Sequence, residues 1–318
     1  MKNKKKFKKT LTVIIIAAII LSAVVAWLSV RLFSTVECTV FNGKAKEVYQ
    51  EDEKVFAAMS LSYLVYGLEG CENASGTVEN ILDTQKMGII IENADISRKD
   101  KTNPETALID SASFIRQHTK NYRFLTELKD EKSSFYGAAF ADDENKVVWI
   151  SYSGSVSFTD AIQSALLAVG AGLSRQEKCA FELYEKVLEC EEIKNGYDLI
   201  LTGHSLGGAL ASMVAYVGKA EAFTISGADG LALRKIKTIA IERNEDFSIT
   251  NYLTSPKGSG FSIKDCIQRM MFWGDYDGIE CHTYENNGMV DNSHCVFGFV
   301  KFEDEDLAKP FLPEELTD

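Results

Sequence analysis

The chain has 318 residues, of which 46% are hydrophobic and 25% are charged, and it contains four prolines and 22 glycines. This composition is that of a globular protein and excludes a collagen-like or low-complexity chain. The net charge is −12, and residues 1–33 hold seven basic and no acidic residues, so residues 34–318 carry −19. A body of that charge repels phosphate, which excludes a nucleic-acid-binding protein.

The first element in the chain is an uncharged run of twenty residues from Leu11 to Val30, which follows six lysines. At about 1.5 Å per residue, a helix of this length crosses a hydrocarbon layer of about 30 Å. We therefore predict a basic cytoplasmic tail at 1–10 and a transmembrane anchor at 11–33, with the rest of the chain outside the cell membrane. A cleaved signal peptide is the alternative, but its apolar core is usually shorter.

The remaining residues are interpreted as a stalk at 34–54, one globular domain at 55–304 and an acidic tail at 305–318. An odd number of cysteines leaves at least one unpaired, and the absence of a CxxC pair speaks against a zinc site. The seven cysteines are Cys38, Cys71, Cys179, Cys190, Cys266, Cys281 and Cys295.

Strands and helices are predicted to alternate in this domain, which favours an α/β fold around a mostly parallel sheet. Apolar residues at helical spacing predict helices at 55–66, at 176–193 and from residue 206 onward. The polar turn at 141–145 predicts a hairpin between strands at 134–140 and 146–152. Further strands are predicted at 197–202, 222–225, 247–253 and 296–302.

The most specific motif is Gly203-His-Ser-Leu-Gly207, followed by Gly208, between the predicted strand at 197–202 and an amphipathic helix. In this context GxSxG predicts a nucleophile elbow, which holds Ser205 in a strained turn at the carboxyl edge of the sheet. The glycines are needed because a Cβ atom there would collide with a neighbouring strand or helix. The backbone N–H of Leu206 is the natural first oxyanion donor.

The chain resembles class 3 lipases, a fungal-lipase-like branch of the α/β-hydrolases. The resemblance is carried by residues 201–208, by residues 147–155 with Asp160, and by residues 222–227. It implies an α/β-hydrolase fold in which Ser155 supplies the second oxyanion donor. Ser153 stands where the family usually has arginine. Residues 161–172, which are apolar and small, lie where the family has a lid over its acyl-chain groove; a buried helix is the alternative.

A serine nucleophile needs an imidazole base, which in α/β-hydrolases follows the serine in the chain. That order excludes His118, and His204 is part of the elbow motif. His294 is preferred because its Ser-His context near the carboxyl end is similar to that of the family's catalytic histidine. His282 is interpreted as a solvated loop residue.

The acid of the triad is the least defined member. Asp265 is preferred because Asp-Cys-Ile is similar to the family's Asp-x-Val, although Ser262 and Asp265 also form a capping box. Asp229 is a second option because some hydrolases place the acid after the preceding strand. Asp275, Asp277 and Asp291 remain further possibilities.

These features predict a membrane-anchored serine hydrolase that cleaves carboxylic ester bonds of acylglycerols or phospholipids without a metal or organic cofactor. Its expected partners are a lipid or other ester substrate and the membrane, which it contacts through residues 11–30. An acyltransferase, a thioester or peptide hydrolase, and a non-catalytic surface protein of hydrolase fold are the alternatives, because fold alone does not fix the reaction.

Overall fold

The computed structural model describes residues 53–69, 74–83, 114–154, 173–239, 246–254 and 279–284. The chain divides into residues 1–41 and residues 42–318, and all described residues belong to the second unit. The predicted anchor at 11–33 and the predicted strand at 296–302 lie outside the described residues. Among the residues that are described, no helix is both long and apolar enough to cross a membrane.

Within the described ranges, six helices and seven strands have defined bounds. The helices are α1 (Glu53–Leu68), α2 (Val78–Asp83), α3 (Arg175–Leu188), α4 (Glu191–Lys194), α5 (Leu206–Gly218) and α6 (Asp229–Ile239). The strands are β1 (Arg123–Asp130), β2 (Phe135–Asp142), β3 (Val147–Tyr152), β4 (Asp198–His204), β5 (Glu221–Ile225), β6 (Ser248–Thr254) and β7 (Ile279–Tyr284). Residues 114–119 are also helical.

The seven strands form one sheet in the order of the chain, β1 to β7. β1, β2 and β3 are antiparallel neighbours, whereas β3 to β7 run parallel. The predicted α/β class with a mostly parallel sheet is therefore confirmed, and so is the hairpin of β2 and β3. Because β3, β4, β5 and β6 are parallel, the residues that follow them meet at one edge of the sheet.

The sheet is buried on both faces, as parallel sheets require. One hydrophobic cluster packs α1, α2 and helix 114–119 against one face, where Trp149 and Phe223 lie. The other cluster packs α3, α5 and α6 against the opposite face, where Ile150 and Leu201 lie. Hydrogen bonds fix α1 to the sheet, since the hydroxyls of Ser62 and Thr202 are 2.9 Å apart.

Several elements differ from the sequence prediction, and α2, helix 114–119 and β7 lie on residues that were assigned to no element. β1 extends the sheet beyond the predicted hairpin, and α6 occupies residues that were not assigned to a helix. The predicted helix at 176–193 is two helices, because Cys190 has an extended backbone and forms the N-cap of α4. The prediction that Cys179 and Cys190 share one helix is therefore wrong.

Candidate active site

Ser205 lies between the end of β4 and the start of α5. Its φ and ψ are 57° and −121°, a left-handed conformation that L-residues rarely adopt. Backbone hydrogen bonds hold it there: its N–H donates to Ile225 O (3.1 Å), and its carbonyl accepts from Ala228 N–H (3.3 Å). The Ser205 side chain does not cap α5, and the residue is 5% exposed. This is the strained turn that the GxSxG motif predicts.

Three glycines let the backbone segments of the elbow come into contact. A Cβ atom on Gly203 would overlap the backbone of Gly207, and one on Gly207 would overlap the carbonyl of Tyr152. A Cβ atom on Gly208 would lie 2.7 Å from Cα of Gly227. The predicted need for glycine at 203 and 207 is confirmed, and Gly208 has the same role toward the turn after β5.

Leu206, whose N–H is predicted to be the first oxyanion donor, lies at the start of a helix. Leu206 is the first residue of α5, and backbone N–H groups of a first helical turn have no partner within their own helix. Ser153 and Gly154 follow β3, which pairs with β4 so that Tyr152 lies beside Gly203. The loop after β3 thus begins next to the elbow, while Ser155 itself lies outside the described residues.

Ser153, which stands where class 3 lipases usually have arginine, forms hydrogen bonds at the start of this loop. Ser153 is buried, its N–H donates to Tyr136 O (3.0 Å), and its hydroxyl donates to Gly154 O (3.1 Å). The serine at this position therefore bonds to backbone carbonyl groups of Tyr136 and Gly154.

His204 is a structural member of the elbow. Its Nδ1 lies 2.9 Å from the hydroxyl of Tyr66, and its carbonyl oxygen lies 3.4 Å from the same hydroxyl. The role of Tyr66 was not predicted from the sequence, because nothing in the α1 sequence indicates that this tyrosine reaches a residue 138 positions later in the chain.

The two other described histidines lie away from Ser205. His118 Nδ1 is 3.2 Å from Glu53 at the start of α1, and its ring packs against Phe56 and Phe114. Burial lowers the pKa of His118, so the neutral ring is favoured there.

His282 is on β7, so the prediction that it lies in a loop is wrong, although its side chain is 37% exposed. It pairs in register with Tyr252, stacks on that ring at 5.4 Å, and its Nε2 lies 2.9 Å from Glu280. His204, Ile225, Tyr252 and His282 form one row across four strands. Three strand spacings, about 14 Å, therefore separate His282 from the elbow. The preferred base, His294, lies outside the described residues.

Asp229 is the one sequence-predicted acid within the described residues. It is fully buried at the start of α6, and it accepts a hydrogen bond from the hydroxyl of Thr224. Burial raises the pKa of Asp229 to about 7. This carboxyl is enclosed between β5 and α6 and is inaccessible to solvent. These surroundings suit a structural role better than orientation of a catalytic imidazole. Asp265, Asp275, Asp277 and Asp291 lie outside the described residues.

A cavity of about 690 Å³ opens at the other edge of the sheet. Val147, Asp198 and Glu221, the first residues of β3, β4 and β5, line it. Ser205 follows the opposite end of β4, so this cavity is separate from the elbow.

A serine with a left-handed backbone between a parallel strand and a helix, on a mixed sheet, characterises the α/β-hydrolase class. Residues 106–255, which include β1 to β6 and Ser205, match the family model of a phospholipase-like, Tle-like phospholipase domain. No curated protein matches the chain in sequence. The predicted similarity to class 3 lipases thus agrees with the match to a lipase-type family model.

Solved structures of fungal lipases are similar to this chain at low sequence identity. The Rhizomucor miehei lipase propeptide complex is 15% identical, with a TM-score of 0.35, over 64% of this chain and 61% of that one. A Penicillium expansum triacylglycerol lipase is 14% identical, with a TM-score of 0.41, over 76% and 83%. The mono- and diacylglycerol lipase from Aspergillus oryzae is 12% identical, with a TM-score of 0.39, over 64% and 70%.

Proposed function

We propose that the protein is a serine hydrolase that cleaves carboxylic ester bonds of lipids, with acylglycerols or phospholipids as the substrate class. The observation that carries this proposal is the left-handed backbone of Ser205 at the junction of β4 and α5. Backbone strain of this kind costs about 1–3 kcal/mol and persists mainly at functional sites. The phospholipase-like family match over residues 106–255 supports the substrate class.

In the proposed reaction, Ser205 Oγ attacks the ester carbonyl while His294 accepts the hydroxyl proton. The tetrahedral oxyanion is stabilised by the N–H of Leu206 and by Ser155. His294 then gives the proton to the leaving alkoxide, which departs as an alcohol, and the acyl group remains on Ser205. A water molecule, deprotonated by His294, attacks the acyl-enzyme, the bond between the acyl carbon and Ser205 Oγ breaks, and His294 returns the proton to Oγ as the fatty acid leaves. Asp265 orients the His294 ring throughout.

The proposal of His294 as the base gains support from the other three histidines. His118, His204 and His282 have Glu53, Tyr66 and Glu280 as partners, and His118 and His282 are distant from the elbow. His204 is the last residue of β4, and its Nδ1 already lies 2.9 Å from the hydroxyl of Tyr66.

We also propose that residues 11–33 anchor the protein in the cell membrane, with the catalytic domain outside. The uncharged run from Leu11 to Val30 and the six preceding lysines support this orientation. The full chain should then remain in the membrane pellet after a carbonate wash and be digested by protease added to intact cells. Release of the full chain by the wash would contradict the anchor without affecting the hydrolase proposal.

Labelling with a fluorophosphonate probe tests the nucleophile. We expect the full chain to be labelled and the label to be lost in Ser205→Ala. Ser226→Ala is a matched control, because Ser226 is also a buried serine with a positive φ (48°) at the end of a neighbouring strand. Labelling that survives in Ser205→Ala, or disappears in Ser226→Ala, would overturn the assignment of Ser205.

Substitutions at the base and the acid test the rest of the triad. We expect His294→Ala to abolish labelling, and Asp265→Asn to slow it by up to about 10⁴-fold, as is known for a serine protease triad. Asp229→Asn is the control, since its carboxyl is enclosed by α6 and β5, and it should leave the labelling rate within about twofold. If Asp229→Asn were labelled slowly and Asp265→Asn at the wild-type rate, the acid of the triad would be Asp229 instead of Asp265.

A further inference from the structure

The hydroxyl of Tyr66 lies where two backbone segments of the candidate active site meet. It is 2.9 Å from Nδ1 and 3.4 Å from the carbonyl oxygen of His204, the residue that precedes the nucleophile. The backbone of Gly154, in the loop after β3, also forms a hydrogen bond with this tyrosine. One phenol therefore contacts both the elbow and the loop that leads to Ser155.

Gly154 shows how close this packing is. A Cβ atom at this position would overlap the hydroxyl of Tyr66 and would lie 2.7 Å from the carbonyl oxygen of His204. The loop after β3, the elbow and the tyrosine are thus in direct contact, and no side chain fits at 154. A side chain at 154 would therefore displace Tyr66, the elbow or both.

Tyr66 is itself held firmly. It is 6% exposed in the last turn of α1, and the hydroxyl of Ser151 donates to the carbonyl of Leu61 in the same helix (3.0 Å). Burial raises the pKa of Tyr66 well above its usual value, so the phenol keeps its proton. A protonated phenol can donate one hydrogen bond and accept another, as its neighbours require.

We propose that Tyr66 is a positioning residue that holds the loop after β3, at Gly154, against the elbow, at His204, and so fixes the two segments from which the proposed oxyanion donors come. This inference rests on the proposed function, since the donors are the N–H of Leu206, two residues after His204, and Ser155, directly after Gly154. An oxyanion hole works only when donors from both segments lie about 3 Å from the developing charge. Because Tyr66 bridges these segments, loss of its hydroxyl should loosen the donors without removing either.

The test is Tyr66→Phe, which removes the hydroxyl and keeps the ring, assayed by hydrolysis of p-nitrophenyl butyrate. Titration with a fluorophosphonate gives the number of active sites, so that kcat is expressed per site. A displacement of about 1 Å in an active site can cost about 100-fold in rate. We therefore expect kcat per site to fall about tenfold or more while KM changes less than about twofold.

Tyr63→Phe is the matched control, because Tyr63 is a buried tyrosine in the same helix, one turn earlier. It should lower kcat per site by less than about twofold. A purely structural role for Tyr66 would reduce the number of titratable sites but leave kcat per site unchanged, and that result would overturn the proposal. An equal loss of kcat per site in Tyr63→Phe would overturn it as well.

Two substitutions of His204 give an independent measurement. His204→Asn keeps a polar atom near the position of Nδ1, whereas His204→Leu removes it. We expect His204→Asn to retain more kcat per site than His204→Leu, and Tyr66→Phe to add little to the loss in His204→Leu. Additive losses would show that Tyr66 does not act on the elbow. Failure of the proposed function is recognised separately, by labelling that persists in Ser205→Ala.

Discussion

Gly207 in the first turn of α5 packs directly against the carbonyl group of Tyr152, the last residue of β3. A Cβ atom on Gly207 would overlap the carbonyl oxygen of Tyr152 and lie 2.8 Å from its carbonyl carbon. This contact joins the helix behind the nucleophile to the strand that leads into Ser153 and Gly154. The distance between the two segments of the proposed oxyanion hole thus depends on a residue without a side chain.

We predict that Gly207→Ala lowers both stability and activity. The added methyl group must push α5 away from β3, and overpacking of this kind typically costs about 1–3 kcal/mol. Gly196→Ala is the control: its φ is +85°, but nothing lies within 4 Å of an added Cβ atom. It should lose about 1 kcal/mol from backbone strain alone and keep full activity. Urea denaturation measures the stability of both variants, and ester hydrolysis measures their activity. Equal activity in Gly207→Ala and Gly196→Ala would contradict the prediction.

The elbow could be predicted because all of its information is local. Gly203, Ser205 and Gly207 lie within five residues, and the strand before them and the helix after them have clear periodicity. β1 was missed because its local signal is weak. β1 is only partly buried along its length, so its sequence, RFLTELKD, lacks the apolar run that marked the inner strands.

Two features of the site depend on contacts between distant residues. Tyr66 is one of many residues in a helix that is buried from Val55 to Leu68, and only the packing of α1 against β4 brings it to His204. His282 lies among polar residues, so its stacking on Tyr252 in a parallel pair of strands leaves no local pattern. Periodicity reports which face of an element is buried, but not which element covers it.

We predict that Asp229 makes the protein less stable as the pH rises from about 4 to 7. The pKa of Asp229 is raised to about 7 by burial, so the folded state holds a proton that the unfolded state releases near its ordinary value of 3.8. Stability from this group is therefore full below pH 3.8 and is lost as the pH approaches 7. In Asp229→Asn this loss should be absent.

The measurement is urea denaturation of the wild type and Asp229→Asn at pH 5 and pH 8. The stability of the variant relative to the wild type should increase with pH, by up to tenfold in the unfolding equilibrium per pH unit below 7. Asp130→Asn is the control and should show no change between pH 5 and pH 8, because hydrogen bonds from Arg175 and Ser133 hold the pKa of Asp130 well below its usual value of 3.8, so this carboxyl is ionised in the folded and the unfolded state at both pH values. A pH-independent difference for Asp229→Asn would contradict the prediction.

The buried ion pair between Lys235 and Glu177 leads to a third prediction. Both side chains are more than nine-tenths buried, and Lys235 Nζ lies 2.7 Å from each carboxylate oxygen of Glu177. Lys235→Met leaves a buried carboxylate without its cation and should cost about 3–5 kcal/mol. Glu177→Gln in addition should recover part of this loss, since glutamine can still accept the capping hydrogen bond from Ser174.

Urea denaturation of the single and double variants measures these costs. Lys194→Met is the control, because Lys194 pairs with Glu189 and Glu191 at the exposed surface. Exposed pairs contribute less than about 1 kcal/mol, so this variant should be close to the wild type. A double variant less stable than Lys235→Met would show that the charge of Glu177 is not what destabilises the single variant.

The strain at Ser205 leads to a prediction in which replacement by glycine relieves backbone strain but abolishes activity. Glycine adopts a φ of 57° without steric cost, whereas alanine has the same Cβ atom as serine. Both Ser205→Gly and Ser205→Ala should be inactive, but the glycine variant should be more stable than the alanine variant by about 1 kcal/mol. The same pair at Ser226, where φ is 48°, should show a similar difference in stability with activity retained. If glycine gives no gain over alanine at 205, the turn is not strained, and stored backbone energy has no part in presenting the nucleophile.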